Sequence, residues 1–361
     1  MYSDFSFDKV YLMLGEACDF HCRHCLQHPS HNHFNKHPSE KLIKYLQHLA
    51  RLRPRNSMRI QPNLDIVFFG GEPLLYWNAI KEVVSQLTED NITLSIVSNG
   101  SMLDKDKVKY LNEHKIHFAL SHDGKYTDKV RDYNILEDQD FVDLFKQVES
   151  KSISTTFHAY NQDLYSLWNY LNNKIPGINI GYNFLVLNWD MPEDIYSYDF
   201  SLWEKSMDKV IHNLFEAYKN TTEDISNLPE AQLISPYIKR RFAYYRGKAK
   251  VPACGAYRNI ISLDLDGNFF LCHNGFCKFS ECSQSGTKVA QEAQIHFGKL
   301  RAESKKPCQS CEAHDICWEG CPFTKWSEMQ EKQCHFMKIF AKKIHEFMDM
   351  VDNFYTTEIE L

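Results

Sequence analysis

The cysteines are the residues of this sequence best suited to chemistry, because they fall in two dense groups. Three lie between Cys18 and Cys25, none lies between residues 26 and 253, and nine lie between Cys254 and Cys334. Cysteines that serve as small core residues would be scattered along the chain. Two groups separated by a long empty stretch therefore indicate ligation of metals or clusters.

The first group, Cys18-x3-Cys22-x2-Cys25, places three thiols on one short loop. A structural zinc site requires four ligands, usually supplied by CxxC pairs. Three thiolates suit a [4Fe-4S] cluster whose fourth iron takes an outside ligand. Zinc completed by a histidine is the alternative, because six histidines lie close by in the sequence: His21, His24, His28, His31, His33 and His37.

The long stretch without cysteines alternates strand-like and helix-like segments, so the fold class is α/β. Apolar runs predict strands at 10–14, 64–69, 93–97, 117–121, 152–159 and 178–187. Helical spacing of apolar residues predicts helices from residue 39 and at 79–87, 104–114, 140–149 and 164–173. Such repeats predict a parallel sheet covered by helices, either open or closed into a full or partial barrel. In both architectures the chemistry lies in loops after the strands, which here are 18–25, 70–73, 98–100 and 121–124.

These loops resemble those of the radical S-adenosylmethionine (SAM) superfamily. The matching residues are Cys18-Asp19-Phe20-His21-Cys22-Arg23-His24-Cys25, with His24 where the family usually has an aromatic residue, and Gly70-Gly71-Glu72-Pro73, which matches the family's GGEP motif. The resemblance implies a partial (β/α)6 TIM-like barrel. It also implies a [4Fe-4S] cluster on Cys18, Cys22 and Cys25, with the amino group of SAM held by Gly70, Gly71, Glu72 and Pro73.

Three further positions resemble SAM contacts of the family. Ser98 and Asn99 lie in a loop that contacts the ribose or carboxylate, Ser121 opens an SxDG segment, and Arg131 resembles the arginine that pairs with the SAM carboxylate. A guanidinium suits such a bidentate role. The alternative for Arg131 is a surface ion pair with Asp128 or Asp132.

The second cysteine group matches the seven-cysteine pattern of the SPASM extension found on radical SAM enzymes. Its spacing is Cys254-x12-Gly267-x4-Cys272, then Cys308-x2-Cys311-x5-Cys317-x3-Cys321, then Cys334. The resemblance implies one auxiliary [4Fe-4S] cluster on Cys308, Cys311, Cys317 and Cys334 and another on Cys254, Cys272 and Cys321, three clusters in all. Cys277 or Cys282 could supply an eighth thiolate; otherwise one iron stays open to a substrate thiolate. A pair of zinc ribbons is the alternative.

Four segments follow from this organisation. We predict a radical SAM barrel over residues 1–225, a helical connector over 226–253, a SPASM domain over 254–335, and a C-terminal helix and tail over 336–361. The last helix is expected over 332–354, with Phe336, Phe340 and Ile344 on one face.

The composition narrows the class of protein. With 41 Lys+Arg against 47 Asp+Glu the net charge is −6, which argues against non-specific nucleic-acid binding. No apolar run reaches the length of a membrane span, and the N-terminus lacks the pattern of a signal peptide. We therefore expect a cytoplasmic protein without a membrane partner, in which the cysteines do not form disulfides.

The leading hypothesis is a SPASM oxidase that cleaves SAM and modifies a peptide or protein side chain, as in the maturation of ribosomal peptides by thioether or other crosslinks. It would need an electron donor of the flavodoxin or ferredoxin type. Because the first strand starts at residue 10, no leader-binding domain is expected before it, so a separate leader-binding protein is a candidate partner.

Three other activities stay open. An anaerobic sulfatase-maturating enzyme carries an aspartate as base after the second cysteine of this region, where this chain has His273. His273 could itself be a base. A small-molecule dehydrogenase and a cluster-bearing electron-transfer protein are the others.

The basic stretch 239–246 is either a site that binds an acidic leader peptide or the solvated face of a helix. Tyr182 and His158 are candidate cavity residues.

Overall fold

The chain divides into two compact units. The computed structural model describes residues 7–27, 36–52, 63–187, 191–220, 224–243, 245, 254–257, 259–274, 278–281, 286–304, 308, 310–323 and 328–359. One unit comprises Met1–Ser121, Ile135–Ser152 and Cys254–Lys299, and the other comprises His122–Asn134, Ile153–Ala253 and Leu300–Leu361. Within the described residues no helix is long and apolar enough to cross a membrane.

The strands form one mixed sheet. They are β1 (Lys9–Met13), β2 (Leu64–Phe69), β3 (Ile92–Ser98), β4 (His117–Ser121), β5 (Lys151–Phe157), β6 (Asn179–Phe184), β7 (Ile260–Asp264), β8 (Asn268–Phe270) and β9 (Lys278–Glu281). Their order is β6-β5-β4-β3-β2-β1-β7-β8-β9, so the described sheet is open. From β1 to β6, strands that are consecutive in the sequence are also adjacent in the sheet, as repeated βα crossovers produce. The predicted partial TIM-like barrel is confirmed.

The register of the first strands places the chemistry-bearing loops at one edge. Val10 pairs with Ile66, Ile66 with Leu94, and Ile96 with Phe118, all in parallel. The C-terminal ends of β1, β2 and β3 therefore lie side by side, and the loops after these strands are neighbours.

The strand β7 extends this sheet on the other side of β1. Val10 pairs in parallel with Ile261, and β8 and β9 follow as antiparallel strands. Residues 260–281 were placed by sequence in the SPASM segment, and they contribute three strands to the same sheet. The predicted segment boundaries stay a prediction.

The helices of the first unit are α1 (Glu40–Arg51), α2 (Trp77–Gln86), α3 (Lys105–Glu113) and α4 (Gln139–Lys146), and α9 (Gly286–Ser304) belongs to it as far as Lys299. The helix α1 begins where the sequence indicates, because the Ser39 hydroxyl accepts a hydrogen bond from the backbone N–H of Leu42 at 3.2 Å. Its buried face carries Leu42, Leu46 and Leu49. Burial of each leucine contributes about 1.5–3 kcal/mol.

The second unit contains α5 (Leu164–Lys174), α6 (Glu193–Tyr196), α7 (Phe200–Asn220), α8 (Pro229–Ala243), α10 (His314–Cys317) and α11 (Glu328–Ile359). Its core centres on Trp203, whose ring stacks on Phe336 at 4.1 Å and whose indole N–H donates to the Phe336 carbonyl at 3.1 Å. Phe340 and Ile344 continue the buried face of α11. This helix is longer at both ends than the predicted 332–354.

Candidate functional site

The glycine loop after β2 packs backbone against backbone on the segment that precedes Cys18. The Gly71 N–H donates to the Gly15 carbonyl at 2.9 Å, and the Glu72 N–H donates to the Ala17 carbonyl at 2.7 Å. A Cβ at Gly71 would lie 2.7 Å from the Glu16 carbonyl oxygen and closer still to Ala17. Gly70 has φ +125°, which favours glycine. The two glycines are therefore required for the close approach of these loops.

Glu72 joins this loop to the loop after β3. Its carboxylate is buried, with Oε1 accepting from the Leu74 N–H at 2.9 Å and the Ser98 hydroxyl at 2.7 Å. Oε2 accepts from the Asn99 N–H at 2.8 Å. Burial raises the pKa of Glu72 to about 7, against the three hydrogen bonds that lower it. Among the described residues Oε2 accepts from one donor, so the carboxylate keeps acceptor capacity for a further donor, such as a ligand amine.

Asp19 makes a second bridge, between the cysteine loop and the loop after β3. Its Oδ1 accepts from the Asn99 side-chain amide at 2.9 Å, and its Oδ2 accepts from the Ser101 hydroxyl at 2.5 Å. The Asn99 amide oxygen in turn accepts from the Ser101 N–H at 2.9 Å. Sequence reasoning gave Asp19 and Ser101 no role. The only signal was that a carboxylate follows the first cysteine.

The first cysteine loop lies against this network. The Cys25 N–H donates to the Cys22 carbonyl at 3.0 Å, which closes a turn between two of the thiols. Burial raises the pKa of the Cys18 thiol to about 12, and the charges of Glu72 and Cys22 add to the effect. Cys18, Cys22 and Glu72 are therefore close neighbours. A thiol with this pKa keeps its proton at neutral pH until a metal displaces it.

The loop after β4 begins at Ser121 and continues in the second unit, where Asp123 is fully buried. The Arg131 Nε–H donates to Asp123 Oδ2 at 2.7 Å, and the Thr156 N–H donates to Oδ1 at 2.8 Å. The guanidinium therefore pairs with a buried carboxylate, which the sequence analysis did not name as its partner. Asp123 is a site residue that sequence reasoning missed, although it belongs to the SxDG segment.

His273, the candidate base, lies in an aromatic sandwich in the first unit. Its ring stacks on Tyr11 at 4.2 Å and meets the edge of Phe69 at 4.9 Å. Burial lowers its pKa to about 4, so the imidazole is neutral at physiological pH. Burial raises the pKa of Tyr11, and the charges of Cys254 and Cys272 raise it further.

The other candidate cavity residues belong to the second unit. His158 is buried and its Nδ1 accepts from the Tyr160 N–H at 3.1 Å. The Tyr182 ring stacks on Phe157 at 5.6 Å, and burial raises the pKa of its hydroxyl. These contacts give both residues a packing role.

Four cysteines of the second group influence one another electrostatically in the second unit. Burial raises the pKa of Cys317 to about 12, and the charges of Cys334, Cys308 and Cys311 raise it further. The Cys311 N–H donates to the Cys308 carbonyl at 3.2 Å, and the short helix α10 carries Cys317. These are the four cysteines that the sequence resemblance assigns to one cluster, and four thiols are a complete ligand set for it.

The structure gives fewer contacts for the remaining cysteines of the second group. Cys254 and Cys272 belong to the first unit and Cys321 to the second, while Cys277 and Cys282 lie outside the described residues. Within the part of the chain that the structure describes, no three His, Cys, Asp or Glu side chains form a preformed metal site. The cluster assignments therefore depend on the shared loops and mutual electrostatic influence of the thiols.

Comparison with known proteins agrees with this geometry. Residues 12–158 match the model of the Radical SAM superfamily. The radical SAM cyclopropyl synthase TigE of Paramaledivibacter caminithermalis is 20% identical over 93% of this chain and 74% of its own length. The serine-type anaerobic sulfatase-maturating enzyme of Klebsiella aerogenes is 19% identical over 86% of this chain and 78% of its own length.

Two solved structures share the fold. The enzyme anSMEcpe with bound AdoMet superposes with a TM-score of 0.63 at 14% identity, over 95% of this chain and 99% of that one. Streptococcus suis SuiB bound to the precursor peptide SuiA superposes with a TM-score of 0.58 at 17% identity, over 91% and 76%. At these identities the likeness establishes the fold.

Proposed function

Because the chain belongs to the radical SAM superfamily, we propose that it is an enzyme of the SPASM type that modifies a side chain of a peptide or protein. Its cofactors would be SAM and three [4Fe-4S] clusters. Its outcome would be a two-electron oxidation such as a crosslink, with electrons supplied by a carrier of the flavodoxin or ferredoxin type.

The observation that carries the radical SAM assignment is the network that joins three loops of the first unit. Glu72 links the loops after β2 and β3, and Asp19 links the latter to the cysteine loop. Three thiolates from that loop would hold the cluster and leave one iron for SAM. When bound, SAM and the reduced cluster supply a 5′-deoxyadenosyl radical that takes a hydrogen atom from the substrate.

The residues of this chain would then bind and orient SAM. The loop at Gly70 and Gly71 lies against the segment before Cys18, and Glu72 has acceptor capacity on Oε2 for the SAM amino group. Ser98 and Asn99 are held by Glu72 and Asp19, so the loop after β3 is preorganised. Ser121 and Arg131 complete the proposed contacts. Asp123 fixes the guanidinium of Arg131 through Nε, which orients its outer nitrogens.

Peptide or protein modification is supported by the relatives and by the second cysteine group. The sulfatase-maturating enzyme acts on a protein by name, and SuiB was solved with a precursor peptide. Cys317 and the three thiols that influence it support an auxiliary cluster that would take the substrate electron. Cys254, Cys272 and Cys321 are proposed for the other auxiliary cluster, with Cys277 or Cys282 as a possible eighth ligand.

Formylglycine formation is the second candidate, and His273 argues against it. The resemblance calls for a carboxylate base at this position. The chain has instead a neutral imidazole enclosed by Tyr11 and Phe69. An enclosed ring with a pKa lowered to about 4 by burial is a weak base.

The test is anaerobic turnover of the full chain, reconstituted with iron and sulfide and reduced in the presence of SAM. We expect about twelve irons per chain and formation of 5′-deoxyadenosine. Cys18→Ala should abolish that product, whereas Glu113→Gln, an exposed change on α3, should leave it unchanged. Product formation by Cys18→Ala would refute the SAM-cluster assignment, and about four irons in the parent chain would refute the auxiliary clusters.

The reaction class is tested by mass spectrometry of a precursor peptide encoded beside the gene, after incubation with the enzyme. A loss of two hydrogens supports the proposed oxidation. Conversion of a Cys or Ser to formylglycine supports the second candidate.

A further inference from the structure

The two arginines of the basic stretch that lie on α8 make internal contacts. Arg240 and Arg241, two of its residues, contact the segment between Cys311 and Cys317. The Arg241 Nε–H donates to Asp315 Oδ2 at 2.7 Å, and an Arg240 Nη1–H donates to the Ile316 carbonyl at 3.3 Å. Consecutive arginines of one helix therefore hold consecutive residues of the cysteine segment.

Asp315 is the anchor of this arrangement. Its carboxylate is buried, and His345 Nε2 of α11 lies 3.1 Å from both of its oxygens. The Asp315 carbonyl accepts from the indole N–H of the buried Trp318 at 2.9 Å. Two helices and one indole thus fix the backbone that ends at Cys317.

Arg240 differs from Arg241 because, within the described residues, its guanidinium pairs with no carboxylate. Its guanidinium lies over the Tyr237 ring, 4.5 Å from the centroid, and the Tyr237 ring is itself buried. The carbonyl it binds belongs to the residue directly before Cys317. A cation held over a buried ring therefore contacts the backbone directly before this thiol.

We propose that Arg240 is a positioning residue of the auxiliary cluster held by Cys308, Cys311, Cys317 and Cys334, and that its charge raises the reduction potential of that cluster. A cluster with four thiolates becomes more negative when it takes an electron, and a neighbouring cation stabilises that reduced form. Arg241, with Asp315 and His345, has the separate role of holding the loop. The inference rests on the auxiliary cluster of the proposed function.

The experiment isolates this cluster in the full-length chain. Cys18, Cys22, Cys25, Cys254 and Cys272 are replaced by alanine, the chain is reconstituted anaerobically, and iron and the midpoint potential are measured by redox titration with EPR detection. About four irons per chain are expected in this parent. Fewer than about two irons per chain in this parent would refute the auxiliary cluster and, with it, the inference about Arg240.

Three variants of that parent then test the role of Arg240. Arg240→Gln should keep its iron and shift the midpoint potential to a more negative value, while Arg240→Lys, which keeps the charge, should stay closer to the parent. Lys239→Gln, at the exposed neighbouring position, should not change the potential. An iron-loaded Arg240→Gln with the potential of the parent would overturn the proposal. Equal loss of iron in Arg240→Gln and Arg240→Lys would also overturn it, because the role would then be structural.

Discussion

The substitution Gly71→Ala tests the close approach of the glycine loop to the cysteine segment. The added methyl group would lie 2.5 Å from the Ala17 carbonyl carbon and 2.7 Å from the Glu16 carbonyl oxygen. Both are backbone atoms, so no flexible side chain can move aside. The loops must separate, which strains the hydrogen bonds from the Gly71 and Glu72 N–H groups.

The expected cost can be worked out from these contacts. Overpacking costs about 1–3 kcal/mol, and each of the two hydrogen bonds contributes about 0.5–1.5 kcal/mol. The sum is roughly 2–6 kcal/mol, enough to lower the melting temperature of a unit of 150–250 residues by at least about 4 °C. The SAM affinity should fall as well, because Glu72 moves with the loop.

The assay is thermal unfolding of the anaerobic, cluster-loaded chain, followed by SAM titration. Gly298→Ala is the matched control, since a Cβ at this position in α9 meets nothing within 4 Å. That change should stabilise the helix by up to about 1 kcal/mol. If Gly71→Ala unfolds at the same temperature as Gly298→Ala, the backbone packing described here is wrong.

Two further predictions concern the second unit. Asp123→Asn removes the carboxylate that pairs with the largely buried Arg131, and it should lower the free energy of unfolding in urea by about 3–5 kcal/mol. The control Glu89→Gln removes the charged partner of the exposed Arg51 and should lower it by less than about 1 kcal/mol. Equal losses in the two variants would contradict the buried pair. Burial lowers the pKa of His158 from 6.5 to about 4. Between these pH values the unfolded chain binds more protons than the folded chain, so the stability present above pH 6.5 is lost as the pH falls toward 4. His158→Gln should reduce the slope of urea stability against pH across that range, to which His273 also contributes. His335→Gln at an exposed position of α11 serves as control, and an unchanged slope in His158→Gln would refute the argument.

The elements that sequence reasoning located are those with strong local signals. Ser39 precedes a helical apolar pattern and caps α1 as expected, and the apolar runs that end in polar loops became the parallel strands β1 to β4. Local propensity and hydrophobic periodicity indicate the same secondary structure at these positions, so the sequence alone predicts it.

The contacts that sequence reasoning missed join residues far apart in the chain. Asp19 and Asn99 are 80 positions apart, and Arg241 and Asp315 are 74 apart. For Arg131 the sequence offered Asp128 and Asp132 as nearer partners, but burial selects Asp123. Side-chain pairing across loops depends on which groups lose water together, and spacing in the sequence does not record that.

The position of β1 between β2 and β7 has a consequence for synthesis of the chain. One edge of β1 pairs with a strand that lies about 250 residues later. At roughly 5–20 residues per second, the ribosome needs on the order of ten to fifty seconds to deliver that partner. During this interval the backbone donors and acceptors along that edge of β1 are exposed, as on any unpaired edge strand. The nascent chain is therefore most prone to aggregation before residue 264 emerges, and truncation before β7 should leave an aggregating product.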